Sequence, residues 1–183
     1  IAVGHDSVWV ANSLSDSVSR IDPDKGAVVA TIPVDDQPVA LAVVEDGLWV
    51  ANARSGTVSH VTSGQQPTVE RVQAGNDPHA IAAGLDAVWV ANSQDGTVNR
   101  IDPATGSIDK TIPVGPDPTG LALGAGSVWV SSGSGGGVKR IDPESGVVAS
   151  VALGSQSGGI STGSVWLWVG VRGPAAGRRA RAA

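Results

Sequence analysis

Ala87-Val88-Trp89-Val90-Ala91-Asn92, followed by Asp95-Gly96-Thr97-Val98-Asn99-Arg100-Ile101-Asp102-Pro103, decides how this chain folds. Residues alternate sides along a strand, so Val88 and Val90 share one face and Trp89 and Ala91 the other. Both faces are apolar, the mark of a strand covered on two sides. Asp95-Gly96 then reads as a turn and Thr97 to Asp102 as a second strand. Asp102-Pro103-Ala104-Thr105-Gly106 suits a tight hairpin, because Pro presets φ and Gly accepts positive φ. Ser107 to Val114 returns as a third strand. The apolar piece that follows each loop Pro, such as Leu41-Ala42-Val43, supplies the first of four.

The same pattern recurs along the chain. Trp9, Trp49, Trp89 and Trp129 are spaced by 40 residues, and Leu167-Trp168-Val169 follows after 39. Pro38, Pro78 and Pro118 keep the register, as do Arg20, His60, Arg100 and Arg140. Ile21-Asp22-Pro23, Ile101-Asp102-Pro103 and Ile141-Asp142-Pro143 align too, each with a Gly three residues past the Pro. Four short strands (A to D) per forty residues is the period of a β-propeller blade. The expectation is an all-β propeller with four four-stranded blades, at about 1–40, 41–80, 81–120 and 121–159. A partial fifth at 160–171 carries strands A and B only, and an Ala/Arg/Gly tail at 172–183 reads as disordered. Strand B places Trp9, Trp49, Trp89, Trp129 and Trp168 in the inter-blade core. The competing reading of that column is a stacking platform for a sugar or base.

At this point the residues resemble a known family. The Trp-Val-Ala-Asn pieces look like the Tyr-Val-Thr-Asn motif of YVTN-type β-propeller repeats, and the resemblance covers about residues 1 to 171. It implies an open arc of a larger propeller, often of about seven blades, in a bacterial and extracytoplasmic setting. Two units depart from the pattern. The second has Val61-Thr62-Ser63-Gly64-Gln65-Gln66-Pro67 in place of the Ile-Asp-Pro hairpin, and the fourth has Ser132 and Ser157 where Asn and Pro stand elsewhere.

Composition narrows the function classes. The chain of 183 residues has no Phe, Tyr, Met or Cys, and its six Trp are its only aromatics. Val, Ile, Leu and Ala therefore fill the core, and branched Cβ atoms suit a pleated surface. Without Cys there is no disulfide, thiolate metal site or Cys nucleophile. Without Met, residue 1 is not a translation start, and the chain reads as processed, excised or incomplete. Residues 1 to 171 hold eight basic against 17 acidic residues, a net of −9, which repels a phosphate backbone. No nucleic-acid partner is expected, and no apolar run has the length of a membrane span.

Candidate sites are few. His79, in Asp77-Pro78-His79-Ala80, stands where streptogramin-lyase-like propellers carry Pro-His-Gly-Ile-like pieces. That likeness implies a general base near the channel mouth. The aligned positions are Val39, Thr119 and Gly158, so the alternative is a plain loop histidine. Alternating strands bring the D–A and B–C loops to one face. It collects Asp16, Asp35, Asp36, Asp77, Asp95 and Asp117 against Arg54 alone, a set that favours cations or a basic partner. The alternative is that Asp is a preferred turn residue. His5, His60 and His79 have no carboxylate at metal-ligand spacing, so no metal or cofactor is expected. The leading expectation is a non-catalytic module that takes a protein or small ligand at this face, with Asp36, Asp77, His79 and Asp117 as contacts. The alternative is a streptogramin-lyase-like (virginiamycin B lyase-like) enzyme. Uncovered end blades are expected to self-associate.

Overall fold

The computed structural model describes residues 1–64, 66–134, 137–153, 156–163, 166–172 and 180–181. Its strands fall into five sheets, taken up in chain order. Sheet one is β1 (Ala2–Gly4), β2 (Ser7–Asn12), β3 (Ser17–Asp22) and β4 (Ala27–Pro33). Sheet two is β5 (Pro38–Val44), β6 (Gly47–Asn52), β7 (Thr57–Thr62) and β8 (Val69–Gln73). Sheet three is β9 (Pro78–Gly84), β10 (Ala87–Asn92), β11 (Thr97–Ile101) and β12 (Ile108–Pro113). Sheet four is β13 (Pro118–Gly124), β14 (Ser127–Ser132), β15 (Gly137–Ile141) and β16 (Val148–Ala152). Sheet five is β17 (Gln156–Thr162), β18 (Trp166–Arg172) and β19 (Ala180–Arg181). Each sheet is an antiparallel meander with sequential strand order, and no helix occurs among the described residues.

The sheets are arranged as a fan. The first strands β1, β5, β9, β13 and β17 pack each on the next, and each second strand leans on the first strand of the following sheet. The fourth strands make no comparable contact across sheets. Sheets that touch along their inner strands and splay at their outer ones radiate from a common axis, which is propeller geometry. The packing runs from sheet one to sheet five without returning to sheet one among the described residues. The result is an open arc.

The hairpins follow from turn chemistry. Asp22, Asp102 and Asp142 each accept the backbone N–H two residues on with a carboxylate oxygen and the Gly N–H four residues on with their carbonyl. The closing Gly26, Gly106 and Gly146 have φ of 60°, 66° and 72°, which only Gly adopts without strain. The Asp22 carboxyl is held below its ordinary range by Lys25, whose ammonium and backbone N–H both bond it; the Asp142 carboxyl is lowered by the backbone N–H and hydroxyl of Ser145.

The core lies between sheets. Trp9 packs with Leu48, Val50 and Val61; Trp49 with Val88, Val90 and Ile101; Trp89 with Val128, Val130 and Ile141; Trp129 with Leu167. Across the strand pair, Arg20, Arg100 and Arg140 lie 5.6, 5.9 and 5.8 Å from the rings of Trp9, Trp89 and Trp129. These are cation–π distances. In sheet two the partner is His60, stacked on Trp49 at 4.5 Å and 8°.

Sheet five departs from the other four. Trp168 is 48 % exposed, because no sheet among the described residues covers that side of β18. Sheet five has a third strand: Ala180–Arg181 pairs with Trp166 and Leu167, satisfying part of an otherwise bare strand edge. Of the expected tail at 172–183, residues 173–179 and 182–183 lie outside the described residues.

Candidate functional site

Two sets of backbone bonds build the face where D–A and B–C loops meet. The residue before each strand A proline lies in the left-handed region, with φ of 60° at Gln37 and 54° at Asp77 and Asp117. That turn aims its carbonyl at the residue after strand B, so Ala53, Ser93 and Gly133 donate to Gln37, Asp77 and Asp117, each at 2.9 Å. In the second set, Val34, Ala74 and Val114 donate to Asp16, Gly56 and Gly96, again at 2.9 Å. Asn and Asp tolerate the left-handed region better than most residues, which accounts for Asp at these turns.

Strand A starts on a bulge. Pro38 pairs with Asn52 and Ala40 with Ala51, so Val39 has no partner in the ladder. His79 and Thr119 are skipped in the same way. A bulge detaches one side chain from the strand's alternation and re-aims it. His79 is therefore exposed at this face, with Nδ1 3.9 Å from an Asp77 carboxylate oxygen. That separation is too long for a hydrogen bond.

Most aspartates at this face bond neighbouring loops. Asp16 accepts the Gln37 N–H at 2.9 Å. Asp35 takes Arg71 at 2.6 Å and the Thr57 hydroxyl at 2.7 Å. Asp95 accepts the Asn76 N–H and side-chain amide, both at 2.7 Å, and these bonds hold its carboxyl below the ordinary value. Asp77 accepts the Ser93 hydroxyl. Asp117 sits against Gly133, where a Cβ would collide with its carboxylate. Asp36 is exposed. Of the four expected contacts, the structure brings Asp77 and His79 side by side and leaves Asp36 and Asp117 apart from them.

Between sheets two and three this face holds a hollow of about 390 Å³. Its polar side chains are Gln37, Arg54, Ser55, Gln73, Asn76, Asp77 and Gln94. Carboxamides both donate and accept, and a guanidinium offers a planar fork of donors. Arg54 is exposed and has no ion pair among the described residues. In the sequence Arg54 is marked only as a cation among the aspartates of these loops. A second hollow, of about 580 Å³, opens at the opposite end between the same sheets, with Val43, Val44 and Leu85 in its walls and Glu45, Asp46 and Asp86 at its rim. Nothing in the A–B turns marked it in advance. Among the described residues, no three His, Cys, Asp or Glu side chains come together as a metal site.

No protein-family model matches this sequence, and no curated protein matches it by sequence. Solved structures do match in fold. Hydrazine synthase of Kuenenia stuttgartiensis is similar over 90 % of this chain and 52 % of its own, with 21 % identity and a TM-score of 0.77. The WD40 domain of Neurospora crassa Pan2 aligns over 91 % and 56 %, with 15 % identity and a TM-score of 0.75. A chain of the mitotic checkpoint complex aligns over 92 % and 56 %, with 15 % identity and a TM-score of 0.76. The present chain thus spans about half the length of these propeller-bearing chains. With its radiating sheets, it has the β-propeller fold.

Proposed function

We propose that this chain is a non-catalytic binding module, a YVTN-type propeller segment of a larger bacterial extracytoplasmic protein. Its ligand sits at the D–A/B–C loop face. The observation that carries this reading is the hollow between sheets two and three, where carboxamides surround one unpaired guanidinium. Such a lining suits a polar ligand bearing a carboxylate, a small acid or an acidic peptide segment, with Arg54 as its bidentate anchor. Asp77 excludes a second negative group from the near wall.

The test is titration of the protein with a panel of acidic peptides and small carboxylic acids, followed by calorimetry or NMR. Arg54→Ala should weaken a binder by about tenfold or more, the usual worth of a charge-assisted pair. Arg54→Lys should recover only part of the loss. Binding that is unchanged in Arg54→Ala rejects the hollow as the site.

A lyase-like reading keeps one observation in its favour, the His79 imidazole raised on a bulge beside Asp77. A streptogramin lyase assay with the His79→Ala control decides it.

A further inference from the structure

The end of the molecule opposite the loop face is made of A–B turns and C–D hairpins. There sheets two and three part around the hollow of about 580 Å³. Each of these two sheets has a neighbour on either side, so the hollow lies within the fan. Its walls are apolar. Val43 and Val44 come from sheet two, Ala83 and Leu85 from sheet three, and Pro103 and Ala104 from the hairpin after β11. The volume falls in the range of small-molecule sites, about 300–1,000 Å³.

Two local features shape it. Between sheets one and two, His5 spans this level, its ring bonding the Val44 carbonyl. Forty residues on, the position holds Glu45, and among the described residues no hydrogen bond joins its turn to sheet three. The second feature is the turn Leu85-Asp86, with φ of 54° and 55°. Gly and Asn are the usual residues in such a turn, so this leucine is held in a left-handed conformation against its preference. It is 36 % exposed and stands in the wall of the hollow.

The rim is acidic. Glu45, Asp46 and Asp86 lie on it, and the lining includes no Lys, Arg or His. Among the described residues the side chains of Glu45 and Asp86 have no hydrogen bond or ion pair. Behind Asp46 lies His60, buried and stacked on Trp49. Its Nε2 is 3.5 Å from an Asp46 carboxylate oxygen and makes no hydrogen bond. The rim thus keeps polar groups that the protein's own contacts do not satisfy. Apolar walls take an apolar body, and unpaired carboxylates at the mouth take a cation that donates hydrogen bonds. We infer that this hollow is a second binding site, for a small organic amine. The alkyl or aryl body lies against Val44, Leu85 and Ala104, and the protonated nitrogen donates to the rim carboxylates. The site does not rest on the loop-face hollow, whose guanidinium and carboxamides suit the opposite charge.

The test is an NMR titration of the 183-residue chain with hexylammonium chloride, beside hexan-1-ol and sodium hexanoate as probes with the same alkyl chain. Hexylammonium should shift the amides of Val44, Leu85 and Ala104 with a midpoint in the millimolar range. Hexan-1-ol should bind at least about threefold more weakly, and hexanoate should leave these amides unmoved, because the rim attracts one charge and repels the other. This comparison needs no variant. Glu45→Gln/Asp86→Asn, altered only at exposed positions, should weaken hexylammonium by about threefold or more and leave hexan-1-ol as it was. Leu85→Asn, which suits the left-handed turn, should weaken both. An absence of shifts at the three amides overturns the site. Hexan-1-ol or hexanoate binding as well as hexylammonium overturns the role of the rim, as does undiminished binding in the carboxamide variant. N-acetyl-lysine amide binding more tightly than hexylammonium assigns the hollow to a basic side chain of a partner protein and overturns the small-molecule reading.

Discussion

Sheets three and five carry the same strand motif with opposite outcomes. Val88-Trp89-Val90 is sealed, with Trp89 at 0 % exposure, whereas Leu167-Trp168-Val169 buries its Leu and leaves Trp168 half in water. Local sequence determines that both segments are strands. What covers them is a property of the neighbouring sheet. Sheet three has one on each side, and among the described residues sheet five has one on one side. In a repeat fold, burial therefore belongs to a pair of units and not to a unit.

The largest effect that tests this contrast is truncation of the two indoles. Burying about 200 Å² at ~25 cal/mol per Å² puts an upper bound near 5 kcal/mol on a sealed Trp. Trp89→Ala should cost about 3–5 kcal/mol in denaturant unfolding. Trp168→Ala should cost less than about 1 kcal/mol, as a surface substitution does. Equal losses at the two positions would break the comparison.

A smaller effect sharpens it at the loop face. Asp95, in the B–C turn of sheet three, binds Asn76 in the loop before that sheet, and its carboxyl is lowered by those bonds. A depressed folded value means stability that is present above the ordinary 3.8 and lost as pH falls through the folded value. After solvent screening it amounts to less than about 1 kcal/mol. Asp95→Asn should lower the melting temperature at pH 7, by an amount that shrinks as pH falls below 3.8. A loss that persists in acid would assign the effect to packing. The smallest expected effect is at His79. His79→Ala should leave stability unchanged within about 0.5 kcal/mol, because the residue lies outside the ladder and outside the core. A measured loss of 2 kcal/mol or more would mean that the bulge is held by its side chain.

The sheets, the hairpins and the tryptophan packing were legible because they rest on local rules: a forty-residue period, two-sided apolar strands, and Asp-Pro with a closing Gly. What was not legible depends on three-dimensional neighbours. The loop-face aspartates looked like a charged patch, yet Asp16, Asp35, Asp77 and Asp95 bond partners 16 to 36 residues away. Arg54 and the glutamines that share its hollow come from separate loops, with no spacing to link them. The change from Arg to His at position 60 was visible, but not its structural setting. In three units the indole N–H donates to a glycine carbonyl: Trp9 to Gly4, Trp89 to Gly84 and Trp129 to Gly124. In sheet two Val44 replaces that glycine, its carbonyl is bonded by the His5 ring, and the Trp49 N–H is buried without a hydrogen-bond partner.

The bulge at the start of strand A has a consequence for how such a module diversifies. Val39, His79 and Thr119 occupy one position in three successive units, and the ladder skips each of them. An apolar, an imidazole and a hydroxyl side chain are accommodated there on the same backbone. The position behaves as an interchangeable display slot, one per blade, arrayed around the axis. Recognition at the loop face can thus be rewritten one slot at a time, while the tryptophan interfaces that hold the fan together stay as they are.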